Sequence, residues 1–80
     1  MEIDIHGLRL WEAIDEILYF LEECKANDIK EISIIHGYHH GNILKDYIRS
    51  EGFIIEIAKN GFNIEKKGIR NEGVTQFLIK

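Results

Sequence analysis

Apolar and polar residues alternate at the start of the chain and then change period. In Glu2-Ile3-Asp4-Ile5-His6-Gly7 every second residue is polar. In an extended strand this places Ile3 and Ile5 on one face, and Glu2, Asp4 and His6 on the other. The strand is expected to stop at Gly7. From Leu10 the apolar positions recur at three- and four-residue spacing, through Ile14, Ile17, Leu18, Leu21 and Cys24, while Glu12, Asp15, Glu16, Glu22 and Glu23 fall outside the stripe. The spacing predicts an amphipathic helix of about five turns. Arg9 stands where a capping side chain is expected, although Glu12 has the spacing to accept its backbone N–H. Trp11 and Phe20 flank the stripe and are expected to pack in the core. Asn27-Asp28 then breaks the period.

A second apolar run, Ile32 to Ile35, ends in His36-Gly37, as the first ended in His6-Gly7. A loop bracketed by Gly37 and Gly41 leads to an expected second helix, Ile43 to Glu51, closed by Gly52, with Lys45 and Arg49 four apart on one side. Phe53 to Lys59 reads as a third strand and Val74 to Ile79 as a fourth. Residues 60–73 include Phe62, Ile64 and Ile69, too apolar for a wholly solvated loop, so extended, partly paired backbone is expected there. The order predicts an α/β fold: a small two-layer β-α-β-α-β-β sandwich with two helices and a mixed four-stranded sheet. Right-handed crossovers set the first three strands parallel, and a hairpin-like connection turns the last one antiparallel. Both His-Gly corners then meet at the carboxyl edge of the sheet, where open α/β sheets place their ligands.

Composition narrows the class. Eighty residues, 45% hydrophobic and 30% charged, fit a single domain over residues 1–80. No basic leader and no apolar run of membrane-spanning length is found, so a cytoplasmic protein without a membrane partner is expected. The lone Cys24 lies in the helical stripe and is expected to be a buried thiol. The net charge of −4 argues against tight nucleic-acid binding by the whole surface. Its distribution is uneven: residues 1–44 carry nine acidic and three basic side chains, and residues 45–80 carry five acidic and seven basic. A basic face on an acidic protein is compatible with that split.

The histidine corners admit three readings. Asp4 can orient His6 as a general base that takes a proton from a ribose 2′-hydroxyl or a water, while the first N–H groups of the second helix and the Gly37-to-Gly41 loop receive phosphate oxygens. Lys45 and Arg49 lie within reach of that corner. Alternatively, Asp4, His6, His36, His39 and His40 supply ligands for a divalent metal, although no standard ligand spacing is present. In the third reading His6 and His36 are hydrogen-bonded strand ends, and His39 and His40 are solvated. Tyr38 either stacks on an unpaired base or pins the loop to the core. Lys66, Lys67 and Arg70 either extend a phosphate track or form a solvated charge run.

These motifs resemble the Smr (small MutS-related) domain family over nearly the whole chain. Asp4-Ile5-His6-Gly7 looks like the family's Asp-Leu-His-Gly motif. Ile34-Ile35-His36-Gly37 with Gly41 and Leu44-Lys45 looks like its second, glycine-rich motif, and Gly73-Val74-Thr75 is similar to the start of its C-terminal strand. The chain departs from the pattern at Tyr38, His39 and His40, which stand where basic and glycine residues are frequent, and in the extra residue between Gly41 and Leu44. The resemblance implies a fold similar to the C-terminal domain of translation initiation factor 3 and a nucleic-acid endonuclease, with RNA slightly ahead of DNA. Candidate catalytic residues are Asp4, His6 and His36, and candidate nucleic-acid contacts are Gly37, Tyr38, Gly41, Lys45 and Arg49. No cofactor is required by this reading, a divalent metal being the alternative. A non-catalytic module that binds nucleic acid or protein is the rival function, and a larger protein or a ribosome-associated partner is admitted.

Overall fold

The computed structural model describes residues 1–39 and 41–80. The elements are β1 (Glu2–Asp4), α1 (Leu10–Ala26), β2 (Glu31–Ile35), α2 (Ile43–Ile48), α3 (Glu51–Lys59), β3 (Ile64–Asn71) and β4 (Val74–Ile79). They build a mixed four-stranded sheet in the order β1-β2-β4-β3. β1 pairs parallel with β2 in the register Ile3 to Ile34, and β4 is antiparallel to both of its neighbours. β1, β2 and β3 therefore run in one direction and β4 in the other, as the crossover argument requires. Among the described residues, no helix is long and apolar enough to cross a membrane.

One apolar layer holds the two parts together. α1 buries Ala13, Ile17, Leu21 and Cys24, and α3 buries Phe53 and Ile57, in one cluster with Ile5, Ile32, Ile34, Ile64 and Phe77 of the strands and their ends. Each large apolar side chain removed from water contributes about 1.5–3 kcal/mol. The buried face of α1 is rotated from the expected stripe: Ala13 lies at its centre and Leu10 is exposed at its edge. Phe20 packs partly buried against the core, whereas Trp11 is 63% exposed, contrary to the expectation for it. Cys24 is buried and unpaired, and burial pushes its thiol pKa up.

The region after Tyr47 corrects the sequence reading. Residues 53–59 are helical, and the second helix is two helices broken at Arg49-Ser50. Ser50 is extended and its Oγ accepts the Phe53 N–H at 3.4 Å, an N-cap, while Gly61 with φ +92° and the Asn60 side chain bonded to Glu56 O close the other end. Phe-Ile-Ile-Glu-Ile favours a strand by propensity, but Phe53 and Ile57 are buried four apart while Ile55 is 53% exposed. The helical period wins because the cap and stop signals flank it and the core accepts that face. The third strand falls instead at Ile64–Asn71, inside the segment expected to be extended and partly paired.

The other face of the sheet is polar. Glu2, Ser33 and Gln76 lie in one row across three strands, with Arg70 reaching Glu2 at 2.7 Å and Lys67 reaching Glu31 at 2.7 Å. Basic side chains from the second half of the chain thus meet acidic ones from the first half. The charge split along the sequence is largely cancelled on this face, and Lys67 and Arg70 are engaged in ion pairs.

Candidate functional site

The two His-Gly corners are adjacent. Parallel pairing brings the carboxyl ends of β1 and β2 together, and the Ile5 N–H donates to Ile35 O at 2.9 Å. Gly7 and Gly37 both turn with positive φ, +80° and +73°. A Cβ on Gly37 would lie 3.2 Å from His6 Cβ, so the second corner packs directly against the first histidine. Between the two strand-to-helix connections lies a cavity of about 730 Å³, lined by His6, Arg9, His36, Tyr38 and a chiefly apolar wall that includes Leu8 and Ile43.

The two histidines have different environments. His6 is 67% exposed, and the Asp4 carboxylate beside it accepts both the His6 backbone N–H at 3.1 Å and its ring Nδ1–H at 2.5 Å. The ring bond first, and the backbone bond after it, hold the Asp4 carboxyl below the usual carboxylate range, so it is ionised at neutral pH. With Nδ1 committed to Asp4, Nε2 of neutral His6 is left as the acceptor.

His36 is only 3% exposed and belongs to a chain of hydrogen bonds. Gly37 O can only accept, so Nδ1 carries the proton in the 3.0 Å contact between them. Thr75 Oγ1 accepts from Arg49 Nε at 2.8 Å and donates to His36 Nε2 at 2.9 Å. Burial first, then the nearby Arg49 and Lys45 charges, push the His36 pKa down, outweighing the opposing Gly37 bond. His36 is thus a neutral strut between the corner and β4, and no reacting group reaches its nitrogens without breaking these bonds. The expected catalytic place thus falls on a residue whose two ring nitrogens are already engaged.

The expected cations also have other tasks. Arg49 donates to Asn71 O at 2.7 Å as well as to Thr75, and Lys45 pairs with Glu72 at 3.0 Å, holding the Glu72 carboxyl below its usual range. Gly73 O in the same turn accepts the backbone N–H groups of His36 at 2.9 Å and Gly37 at 3.1 Å. The β3–β4 turn is therefore the anchor for α2 and for the second corner, and Lys45 and Arg49 fasten α2 to it. Tyr38 sits on the cavity rim, stacked on His39 with centroids 4.3 Å apart and planes at 28°. Gly41, with φ +122°, also lines the cavity.

The sequence reading missed Arg9 and Thr75. In the sequence pattern Arg9 stands out only as a residue at the helix start without a capping side chain. Its backbone N–H does donate to Glu12 Oε1 at 2.9 Å, but its side chain is the one lysine or arginine among the described residues of the cavity wall. The signal was its place three residues beyond His6, between the strand end and α1. Among the described residues, no group of three or more His, Cys, Asp or Glu is gathered to hold a metal ion, and His36 has both nitrogens engaged. His40, weighed as a ligand, lies outside the described residues.

A two-layer α/β domain with an Asp-His pair and a glycine corner at adjacent parallel strand ends defines the class. The family model of the Smr domain matches residues 3–52, and the chain belongs to that family. It is similar to the protein Endonuclease MutS2 of Finegoldia magna, 32% identical over 65 residues that make up 78% of this chain and 8% of that protein. With Endonuclease MutS2 of Acetivibrio thermocellus it shares 30% identity over 77 residues, 92% of this chain and 9% of that one. The chain thus spans less than a tenth of these relatives' length. The crystal structure of the Smr domain of Thermus thermophilus MutS2 superposes with a TM-score of 0.68 at 26% identity, covering 99% of this chain and 96% of that one.

Proposed function

We propose that this domain cleaves phosphodiester bonds in nucleic acid, RNA ahead of DNA, with His6 as general base and Asp4 as its orienting partner. The observation that carries the reading is the Asp4 carboxylate gripping both the backbone N–H and the ring of His6 at an exposed strand end. A carboxylate on Nδ1 fixes the tautomer, stabilises the imidazolium that forms, and presents Nε2 as the base. Relatives that bear the name endonuclease support the same class. On RNA, Nε2 takes the 2′-hydroxyl proton, O2′ bonds to phosphorus, and the P–O5′ bond breaks with O5′ taking a proton from water. The products are a 2′,3′-cyclic phosphate and a 5′-hydroxyl. RNA leads because it carries this nucleophile internally; DNA requires an activated water.

Binding without cleavage is the second reading, favoured by the internal pairing of Lys45, Lys67 and Arg70. Labelled single-stranded and hairpin RNA and supercoiled DNA, each with and without EDTA, separate the two. Cleavage in EDTA to cyclic-phosphate ends, falling about 10²–10⁴-fold in His6→Ala and Asp4→Asn, is expected for the enzyme. Nicking of DNA that disappears with EDTA would favour metal chemistry, cutting retained by His6→Ala would move the site elsewhere, and binding with no cutting of any substrate would leave the binding module.

A further inference from the structure

The cavity beside His6 is larger and more apolar than phosphates and sugars alone require. At about 730 Å³ it falls within the ~300–1,000 Å³ of small-molecule pockets. Leu8, Leu10, Ile35, Ile43 and Leu44 make up much of its wall, and Ile43 is 76% exposed. Apolar carbon is therefore held in water next to the Asp4–His6 pair. A continuous duplex offers such a wall little, because its bases are stacked on one another and paired at their edges, leaving sugar and phosphate outermost. An unpaired base has two π faces to bury.

Resting on the nucleic-acid reading above, we propose that this cavity takes one unpaired nucleobase, stacked on the Tyr38–His39 pair and enclosed by Leu10 and Ile43, with Arg9 holding the adjoining phosphate beside His6. The stacked rings of Tyr38 and His39 form a ready aromatic platform, since base stacking on such rings is tolerant of base identity. The electrostatics of the wall agree. It contains no carboxylate among the described residues, on a protein whose net charge is −4. Arg9 is exposed there, and among the described residues no carboxylate or carbonyl holds its guanidinium; Lys25, Lys59 and Lys66 also lie outside ion pairs, but Arg9 alone of these lines the cavity. A free cation, a π platform and an apolar wall meeting at one general base select a bulge, loop or single strand and reject a fully paired helix.

The test uses the full chain with oligonucleotides carrying 2-aminopurine, either in a one-nucleotide bulge or paired within a duplex, in RNA and in DNA. Fluorescence reports burial of the base, and gels report cleavage. The bulged probe should bind at least tenfold tighter than the duplex and change its emission on binding, in both sugars. Tyr38→Ala and Ile43→Asp should each weaken binding of the bulge roughly tenfold, Ile43→Asp without lowering thermal stability, since Ile43 is 76% exposed. Arg9→Gln should lower the salt dependence of binding by about one phosphate contact. Bulge and duplex bound and cut alike, with Tyr38→Ala and Ile43→Asp unchanged from the parent, would overturn the base pocket while leaving the nuclease reading intact. Failure to bind or cut any nucleic acid would overturn that reading and the pocket with it.

Discussion

His6 and His36 carry the same sequence signature, and their surroundings give them opposite tasks. His6 is exposed and bonded mainly to Asp4, so its removal costs the fold little: His6→Ala should change stability by less than about 0.5 kcal/mol while cleavage is lost. His36 is buried in its neutral form. Its folded pKa lies below the ordinary value of about 6.5, so the unfolded chain binds the proton more readily. The stability His36 contributes is present above about pH 6.5 and is lost as pH falls toward its lower folded value. Urea midpoints of the parent should therefore fall between pH 7.5 and pH 5.5, and a His36→Gln variant should show a smaller fall over that window; an unchanged pH dependence would show that other groups govern it. Thr75→Val keeps the shape but leaves His36 Nε2 and Arg49 Nε without their partner. It should destabilise by about 1–3 kcal/mol, read by the same denaturation.

At the scale of elements, the two glycine corners offer a matched comparison. Gly7 and Gly37 both have positive φ, so alanine at either costs about 1–2 kcal/mol of backbone strain. A Cβ at residue 7 meets nothing within 4 Å, whereas at residue 37 it presses on His6 Cβ at 3.2 Å. Gly37→Ala should therefore lose more activity than Gly7→Ala at similar stability, and equal activities in the pair would deny the second corner a role in placing His6. The break between α2 and α3 rests on Ser50, whose Oγ also donates to Tyr47 O at 2.6 Å. Because its bond to Phe53 N–H is long, Ser50→Ala should cost about 0.5–1 kcal/mol, at the lower end of capping losses, measured by chemical denaturation.

Over the whole molecule five of the ten lysines and arginines lie in ion pairs with carboxylates, among them three of the cations expected near the site or along a phosphate track, which sets the character of any nucleic-acid contact. With Lys45, Lys67 and Arg70 engaged and Arg9 at the cavity, one or two phosphates are neutralised rather than many. The affinity for single strands should then fall with salt at a log–log slope of about −1, measured by anisotropy at several salt concentrations. A slope several times steeper would mean that the ion pairs open to meet the substrate.

The sequence pattern determined α1 by its helical period, β1 by its alternation, and β2 and β4 as short apolar runs between turn signals. The repeated His-Gly pattern and the parallel crossover also place both corners at one sheet edge. Phe53 to Lys59 was not legible in that way: an isoleucine-rich run of seven residues satisfies either period, and only the capped ends and the core that receives Phe53 and Ile57 decided for a helix. The partners of the site were likewise set by the fold. Asp4 and His6 are two residues apart and meet locally, whereas His36, Arg49 and Thr75 meet through a hairpin that docks on the second corner. Side chains close in sequence can be paired from spacing, but burial and the hydrogen bonds between distant segments exist only once the sheet has closed. Tertiary structure therefore made one histidine a strut, left the other as a candidate base, brought Arg9 to the cavity, and set Lys45 and Arg49 against the β3–β4 turn.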